Sequence, residues 1–165
     1  MKWSTPFLAA GCLAISTLGC YAQDFGFNVR DFPRRVQDVG EKYRLRVGYP
    51  VARNCKEPDQ SGPSGGYCDT YIFGCLVRLG FEGNTQQISR ISIYLSRYSH
   101  DYNLPLAISV VAAVVDPLLS GDEIDRIASR LSTVGNTLSG GGTEKGVAAQ
   151  FSAGFENRWF KFVAQ

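Results

Sequence analysis

Apolar positions along the chain recur first with a helical period and then with the period of a strand. A helical stripe begins after Asp31, with Pro33 suited to its first turn. It consists of Phe32, Val36, Val39 and Tyr43. Over residues 43–47 apolar residues then alternate with Arg44 and Arg46, which predicts a first strand directly after the helix.

Alternation returns over residues 67–79 and 88–97, which predicts two further strands joined by a hairpin. In the first of them the odd positions are mostly apolar, so Tyr71 and Cys75 are expected to face the core. In the second, Ile91 and Ile93 are expected to face it, with Arg90 and Tyr94 on the opposite side.

Two helices and a second hairpin complete the pattern. Residues 104–115 are apolar on almost every side and follow Asn103, which predicts a buried central helix. Ser120 and Glu123 form a capping box that opens a second helix, and Gly135 is a natural stop for it. The glycine-rich residues 139–146 are interpreted as a flexible connection, and residues 147–155 and 158–164 as a closing hairpin.

This order, α-β-β-β-α-α-β-β, favours an α+β domain. Helices are expected to pack on one face of an antiparallel sheet of about five strands. The chain has 165 residues, of which 44% are hydrophobic and 19% charged, and that is enough to build one hydrophobic core. Residues 23–165 are therefore predicted to form a single domain.

The first 22 residues have the layout of a signal peptide. Lys2 precedes an apolar run that ends at Leu18, and Ala22 is a small residue suited to the cleavage site. We expect cleavage after Ala22 and a periplasmic or extracellular location. A lipoprotein signal, with Cys20 acylated at the outer envelope, and an uncleaved anchor are the alternatives. The apolar run is too short for a stable membrane-spanning helix, and no transmembrane segment is predicted.

Three cysteines follow the predicted cleavage site. Cys55 and Cys68 flank a loop rich in Pro and Gly, and a disulfide between them would contribute roughly 3 kcal/mol by closing it. Cys68 is expected on the sheet face opposite Cys75, which is predicted to be a buried free thiol. Together with the single histidine, His100, these cysteines make a poor zinc ligand set, so neither a metal nor another cofactor is expected.

The sequence assigns no catalytic residue. His100 lies beside Ser99 and Asp101, and three consecutive residues cannot converge into a nucleophile, base and orienting group. The acids around the predicted helices, Asp116 and Glu123 among them, are explained by the helix termini. A formal charge of +2 argues against a protein that works mainly by coating nucleic acid or an anionic membrane, so no nucleic-acid partner is expected.

One surface carries a candidate function. The sheet face opposite the core is predicted to be rich in arginine with an aromatic beside it, and both residue types are common in protein interfaces. The candidate binding residues are Arg44, Arg46, Arg78, Arg90 and Tyr94. A merely solvated surface is the alternative interpretation.

The hypothesis is an exported, non-enzymatic protein-binding domain of inhibitor or immunity type, whose partner has an acidic surface. The alternatives are a small exported hydrolase with carboxylates brought together by the fold, and a lipid-anchored envelope protein. The sequence specifies no oligomeric state.

Overall fold

The computed structural model describes residues 24–57, 65–81, 86–94, 103–136, 141–147, 149–154 and 159–164. The predicted signal peptide, Cys20 and His100 lie outside these ranges. No helix within them is long and apolar enough to cross a membrane. The elements are α1 (Phe32–Lys42), β1 (Arg53–Lys56), β2 (Gly66–Ile72), β3 (Cys75–Phe81), β4 (Ile88–Tyr94), α2 (Asn103–Val115), α3 (Gly121–Asn136), β5 (Gly141–Lys145), β6 (Ala149–Gly154) and β7 (Trp159–Ala164).

The strands form one antiparallel sheet in the order β1-β2-β3-β4-β7-β6-β5. Two meanders, β1 to β4 and β5 to β7, meet where β7 pairs with β4, and α2 and α3 connect them along the chain. α2 packs against β3 and β7, α3 packs against β5, β6 and β7, and α1 lies on α2. The predicted α+β class, with helices on one face of an antiparallel sheet, is confirmed, although the described residues form seven strands rather than about five.

The predicted helices are confirmed. On α1 the stripe residues Phe32, Val36 and Val39 are buried, and α2 is buried along most of its length. At the start of α3 the predicted capping box forms: the Ser120 backbone N–H donates to the Glu123 carboxylate at 2.8 Å, and the Glu123 N–H donates to the Ser120 hydroxyl at 3.3 Å. α3 passes through Gly135 and ends at Asn136.

The strand predicted over residues 43–47 is wrong. Arg44 has a left-handed backbone (φ 56°), which interrupts an extended chain. The segment turns back onto the end of α1, where the Leu45 N–H donates to the Gly40 carbonyl at 2.8 Å and Leu45 and Val47 pack against the core. The first strand, β1, comes later, and all its residues are exposed, so it carries no apolar alternation that could predict it.

The single strand predicted over residues 67–79 is a hairpin. Phe73 and Gly74 both have positive φ (50° and 79°), as a two-residue primed turn requires, and they separate β2 from β3. The core-facing positions of β3 are as predicted, but those of β2 are reversed. Cys68 is therefore buried on the same face as Cys75, whereas Tyr71 is 59% exposed.

The glycine-rich connection predicted over residues 139–146 is mostly strand β5. It is held by Glu144, which faces the helices. Glu144 accepts a hydrogen bond from Arg126 at 2.6 Å and forms an ion pair with Arg130 at 2.9 Å, both on α3. The closing hairpin is confirmed, because β6 and β7 pair in continuous register.

The predicted disulfide and the predicted buried free thiol are confirmed, whereas the predicted face of Cys68 is wrong. Cys55 and Cys68 form a disulfide that ties β1 to β2, with their Cα atoms 4.0 Å apart. Cys75 is a buried free thiol, and desolvation raises its pKa to about 11. It therefore stays protonated and unreactive at neutral pH.

Candidate functional site

The face of the sheet opposite the helices, hereafter the outer sheet face, is organised in rows across β1 to β4. Strand register places residues side by side because neighbouring antiparallel strands present paired positions to the same face. The first row is Lys56, Tyr67, Gly80 and Arg90; the second is Arg53, Asp69, Arg78 and Ser92; the third is Tyr71, Leu76 and Tyr94.

A β-bulge brings two cations of β1 to this face. Arg53 pairs with Asp69 and Lys56 pairs with Tyr67, so three steps along β1 match two along β2. Asn54, with φ 49°, takes the left-handed conformation there, which asparagine tolerates better than most residues. Without the bulge, residues three apart would face opposite sides of the sheet. Both Arg53 and Lys56 are exposed.

Arg78 lies at the centre of the outer sheet face and is paired with an acid of the neighbouring strand. Its Nε and Nη2 donate to the two carboxylate oxygens of Asp69 at 2.8 and 3.0 Å. The guanidinium carbon lies 4.0 Å from the ring centroid of Tyr67 and 5.6 Å from that of Tyr94. The hydrogen bonds with Asp69 hold the pKa of Arg78 above its ordinary value. Arg78 is therefore a fixed cation that organises its neighbours.

Three other cations surround this centre without a matching acid among the residues that the structure describes. Arg53, Lys56 and Arg90 are exposed, and none has a carboxylate within ion-pair distance among the described residues. Within the described strands the carboxylates are Asp69, which is bound by Arg78, and Glu144, which faces the helices. The outer sheet face of β1 to β4 thus has an excess of positive charge around a tyrosine cluster.

The structure does not bring all five predicted binding residues together. Arg78, Arg90 and Tyr94 share the outer sheet face. Arg44 and Arg46 are exposed in the segment that follows α1, where Leu45 between them lines a cleft with residues of α2 and α3. They therefore belong to the helical side of the molecule, away from the strands that carry the other three.

Both edges of the sheet are protected against pairing with another strand. β1 is short, bulged and charged, and β5 carries the inward-facing Glu144 and the exposed Lys145. Such features discourage an edge from recruiting a further strand. A partner would accordingly meet this sheet through side chains of its face.

A cleft of about 240 Å³ lies between α1 and the α2–α3 corner, and two acids, Asp38 and Asp116, line it. Such a pair is what the hydrolase alternative requires. Asp116, however, is 0% exposed, and its Oδ2 accepts a hydrogen bond from the Val147 N–H at 2.6 Å. A carboxylate with no accessible surface and this backbone bond acts as a structural tie, so the cleft does not favour acid–base catalysis.

Sequence reasoning missed Arg53, Lys56 and Tyr67 as members of the outer sheet face. The bulge and the turn at residues 73–74 decide their positions, and neither has a strong sequence signal. Within the described ranges no group of three or more His, Cys, Asp and Glu residues could hold a metal ion. No protein-family model, curated protein or solved structure matches the chain.

Proposed function

We propose that the chain is an exported, non-enzymatic binding domain of inhibitor or immunity type. Its outer sheet face binds an acidic surface of a partner protein. The observation that carries this proposal is a group of three cations, Arg53, Lys56 and Arg90, that have no matching acid in the described part of the chain. They lie around tyrosines against which Arg78 packs. Charge complementarity gives such a face both orientation and rapid association with an acidic partner.

The composition of the face supports protein recognition. Tyrosine and arginine supply large contact area and directional donors, and they are enriched among residues that dominate binding energy. Tyr71 is the most exposed of the large hydrophobic residues of this face. The Cys55–Cys68 disulfide is compatible with an oxidising compartment outside the cytoplasm.

Two double charge reversals test the proposal. The first, Arg53→Glu with Arg90→Glu, alters the outer sheet face; the second, Arg44→Glu with Arg46→Glu, changes net charge equally on the helical side. All four side chains are exposed, so both variants should fold. Tagged residues 23–165 are used to capture proteins from envelope extract and culture medium, and the captured protein is then titrated at several salt concentrations.

The proposal predicts that the outer-face variant binds the captured protein at least about tenfold more weakly and loses the salt dependence of the parent. The helical-side variant should bind like the parent. Equal binding by both variants, or loss confined to the helical-side variant, would overturn the proposal. Circular dichroism of each variant confirms that the comparison is made between folded proteins.

A further inference from the structure

One end of the outer sheet face is apolar. Its third row, hereafter the apolar row, consists of Tyr71 on β2, Leu76 on β3 and Tyr94 on β4, which are paired in register. Tyr71 is 59% exposed, and Leu76 and Tyr94 are partly exposed. Because neighbouring strands lie about 4.8 Å apart, the row extends roughly 10 Å across the three strands.

The apolar row differs from the rest of its face. A sheet face that only meets water carries polar side chains at its outward positions. The first two rows follow that pattern at six positions: Arg53, Lys56, Asp69, Arg78, Arg90 and Ser92. One exposed tyrosine needs no explanation, but two tyrosines and a leucine side by side form a contiguous patch. An exposed apolar patch with polar residues around it is typical of an interaction site.

The strand register also gives the distance from the apolar row to the unmatched cations. Arg53 belongs to the adjacent row, two residues along the strands, and Lys56 and Arg90 belong to the row beyond, four residues along. At about 3.3 Å per residue, these steps correspond to roughly 7 and 13 Å. The outer sheet face therefore has an apolar end and a cationic end. An apolar contact area with a charged rim is the usual arrangement of a protein interface.

The charge of this face indicates what covers the apolar row. Asp69, the carboxylate of the face among the described strands, is already bound by Arg78. A second copy of the chain would therefore bring no free acid of this face to Arg53, Lys56 or Arg90. A partner that carries acids beside an apolar side chain complements both ends of the face at once.

We propose that the apolar row is the anchoring site of the outer sheet face, and that it binds one aromatic side chain of an extended partner segment with acids two to four residues away. This inference rests on the proposed function, because it names the chemistry of the partner that the face recognises. An aromatic ring buried against tyrosines contributes affinity through its area and its ring contacts. The cations orient the segment and make its binding depend on salt.

Two peptides of equal charge test the anchoring site. The first is Glu-Glu-Glu-Gly-Trp-Gly, in which the acids lie two to four residues from the ring, and the second has Ala in place of Trp. Each carries fluorescein at its acidic end and is titrated into residues 23–165 while the anisotropy is followed. We expect the parent to bind the Trp peptide about tenfold more tightly than the Ala peptide, as for one well-packed aromatic contact.

Two substitutions locate this preference on the surface. Tyr71→Thr removes the most exposed ring of the apolar row and keeps a residue suited to a strand, so the fold should survive. It should bind the two peptides about equally. Leu118→Thr is the control, because Leu118 is 71% exposed between α2 and α3, and it should keep the full preference. Arg53→Glu with Arg90→Glu should weaken both peptides alike.

The outcomes separate this inference from the proposed function. Equal binding of the two peptides by the parent, with both weakened by the double charge reversal, would overturn the anchoring site while the proposed function stands. A preference for the Trp peptide that survives Tyr71→Thr would also overturn the anchoring site. Peptide binding that the double charge reversal leaves unchanged would overturn the proposed function. A dimer in sedimentation velocity that Tyr71→Thr dissociates would show that a second copy covers the row, against this inference.

Discussion

Arg78 and Arg90 lie on neighbouring strands of one sheet face, yet they have different roles. Arg78 is paired with Asp69 and stacked on Tyr67, so its charge is already matched within the domain. Arg90 lies over Gly80, where a Cβ at residue 80 would be 3.2 Å from its Nε, and it has no carboxylate within ion-pair distance among the described residues. The sequence places both on the same face by strand parity, but it cannot show that Asp69 belongs there as well, because that depends on where β2 turns into β3.

The turn at Phe73 and Gly74 can be tested with single glycine substitutions. Gly74→Ala should destabilise the domain by about 1 kcal/mol, because φ is 79° and an L-residue is strained there even though a Cβ would meet no atom within 4 Å. Gly121→Ala, also in open space but in the first turn of α3, should be neutral or stabilise by about 0.5 kcal/mol. Urea unfolding of the two variants measures this difference in stability. Equal transition midpoints for Gly74→Ala and Gly121→Ala would contradict the positive φ at residue 74.

Elements with a strong internal period could be predicted from the sequence. α1, α2, α3 and β4 each bury the apolar positions that their patterns indicate, since a helix or strand with one apolar face must cover it. β1 and β5 could not be predicted. β1 has no buried residue, and β5 is stabilised by Glu144 contacting two arginines that are distant in the sequence.

The capping box of α3 makes a pH-dependent contribution. Hydrogen bonds from the backbone and side chain of Ser120 hold the pKa of Glu123 below its ordinary value of 4.5. A carboxylate with a lowered pKa in the folded state stabilises the fold above its unfolded pKa, and that stability is lost as the pH falls through the lowered value.

Ser120→Ala should therefore destabilise the domain by about 1 kcal/mol at neutral pH. The difference in unfolding free energy between the variant and the parent should become smaller below pH 4.5. Ser129→Ala is the matched control, because Ser129 is exposed in the middle of the same helix and alanine is a good helix former. Thermal unfolding at a series of pH values measures both. A difference that stays constant down to acidic pH would show that the Ser120–Glu123 contact does not contribute.

In the tertiary structure, a side-chain hydrogen bond joins the end of α2 to the connection between β5 and β6. The Asp116 carboxylate accepts the Val147 N–H, and there is no room for a Cβ at Gly146 because the Asp116 carboxylate and the Phe151 ring occupy that space. This tie holds the connection between β5 and β6 against the end of α2.

Removing that tie should cost more than removing an exposed acid from the same cleft. Asp116→Ala is expected to destabilise the domain by about 2 kcal/mol, because the hydrogen bond between a fully buried side chain and the Val147 N–H is lost. Asp38→Ala removes an exposed acid that lies 4.0 Å from Arg34, and it should cost less than about 0.5 kcal/mol. Urea unfolding of the two variants separates them, and Asp116→Asn, which keeps an acceptor, should fall between. Equal effects of Asp116→Ala and Asp38→Ala would show that the buried carboxylate is not a structural tie.

The most direct test of the account is to map where an acidic ligand contacts the domain. Isotope-labelled residues 23–165 are titrated with polyglutamate while the backbone amide resonances are followed. We predict that the shifts centre on the outer-face rows of β1 to β4 and that Arg44 and Arg46 are unaffected. Shifts centred on residues 43–47 or on the cleft between α1 and α2, with the rows of β1 to β4 unchanged, would contradict it.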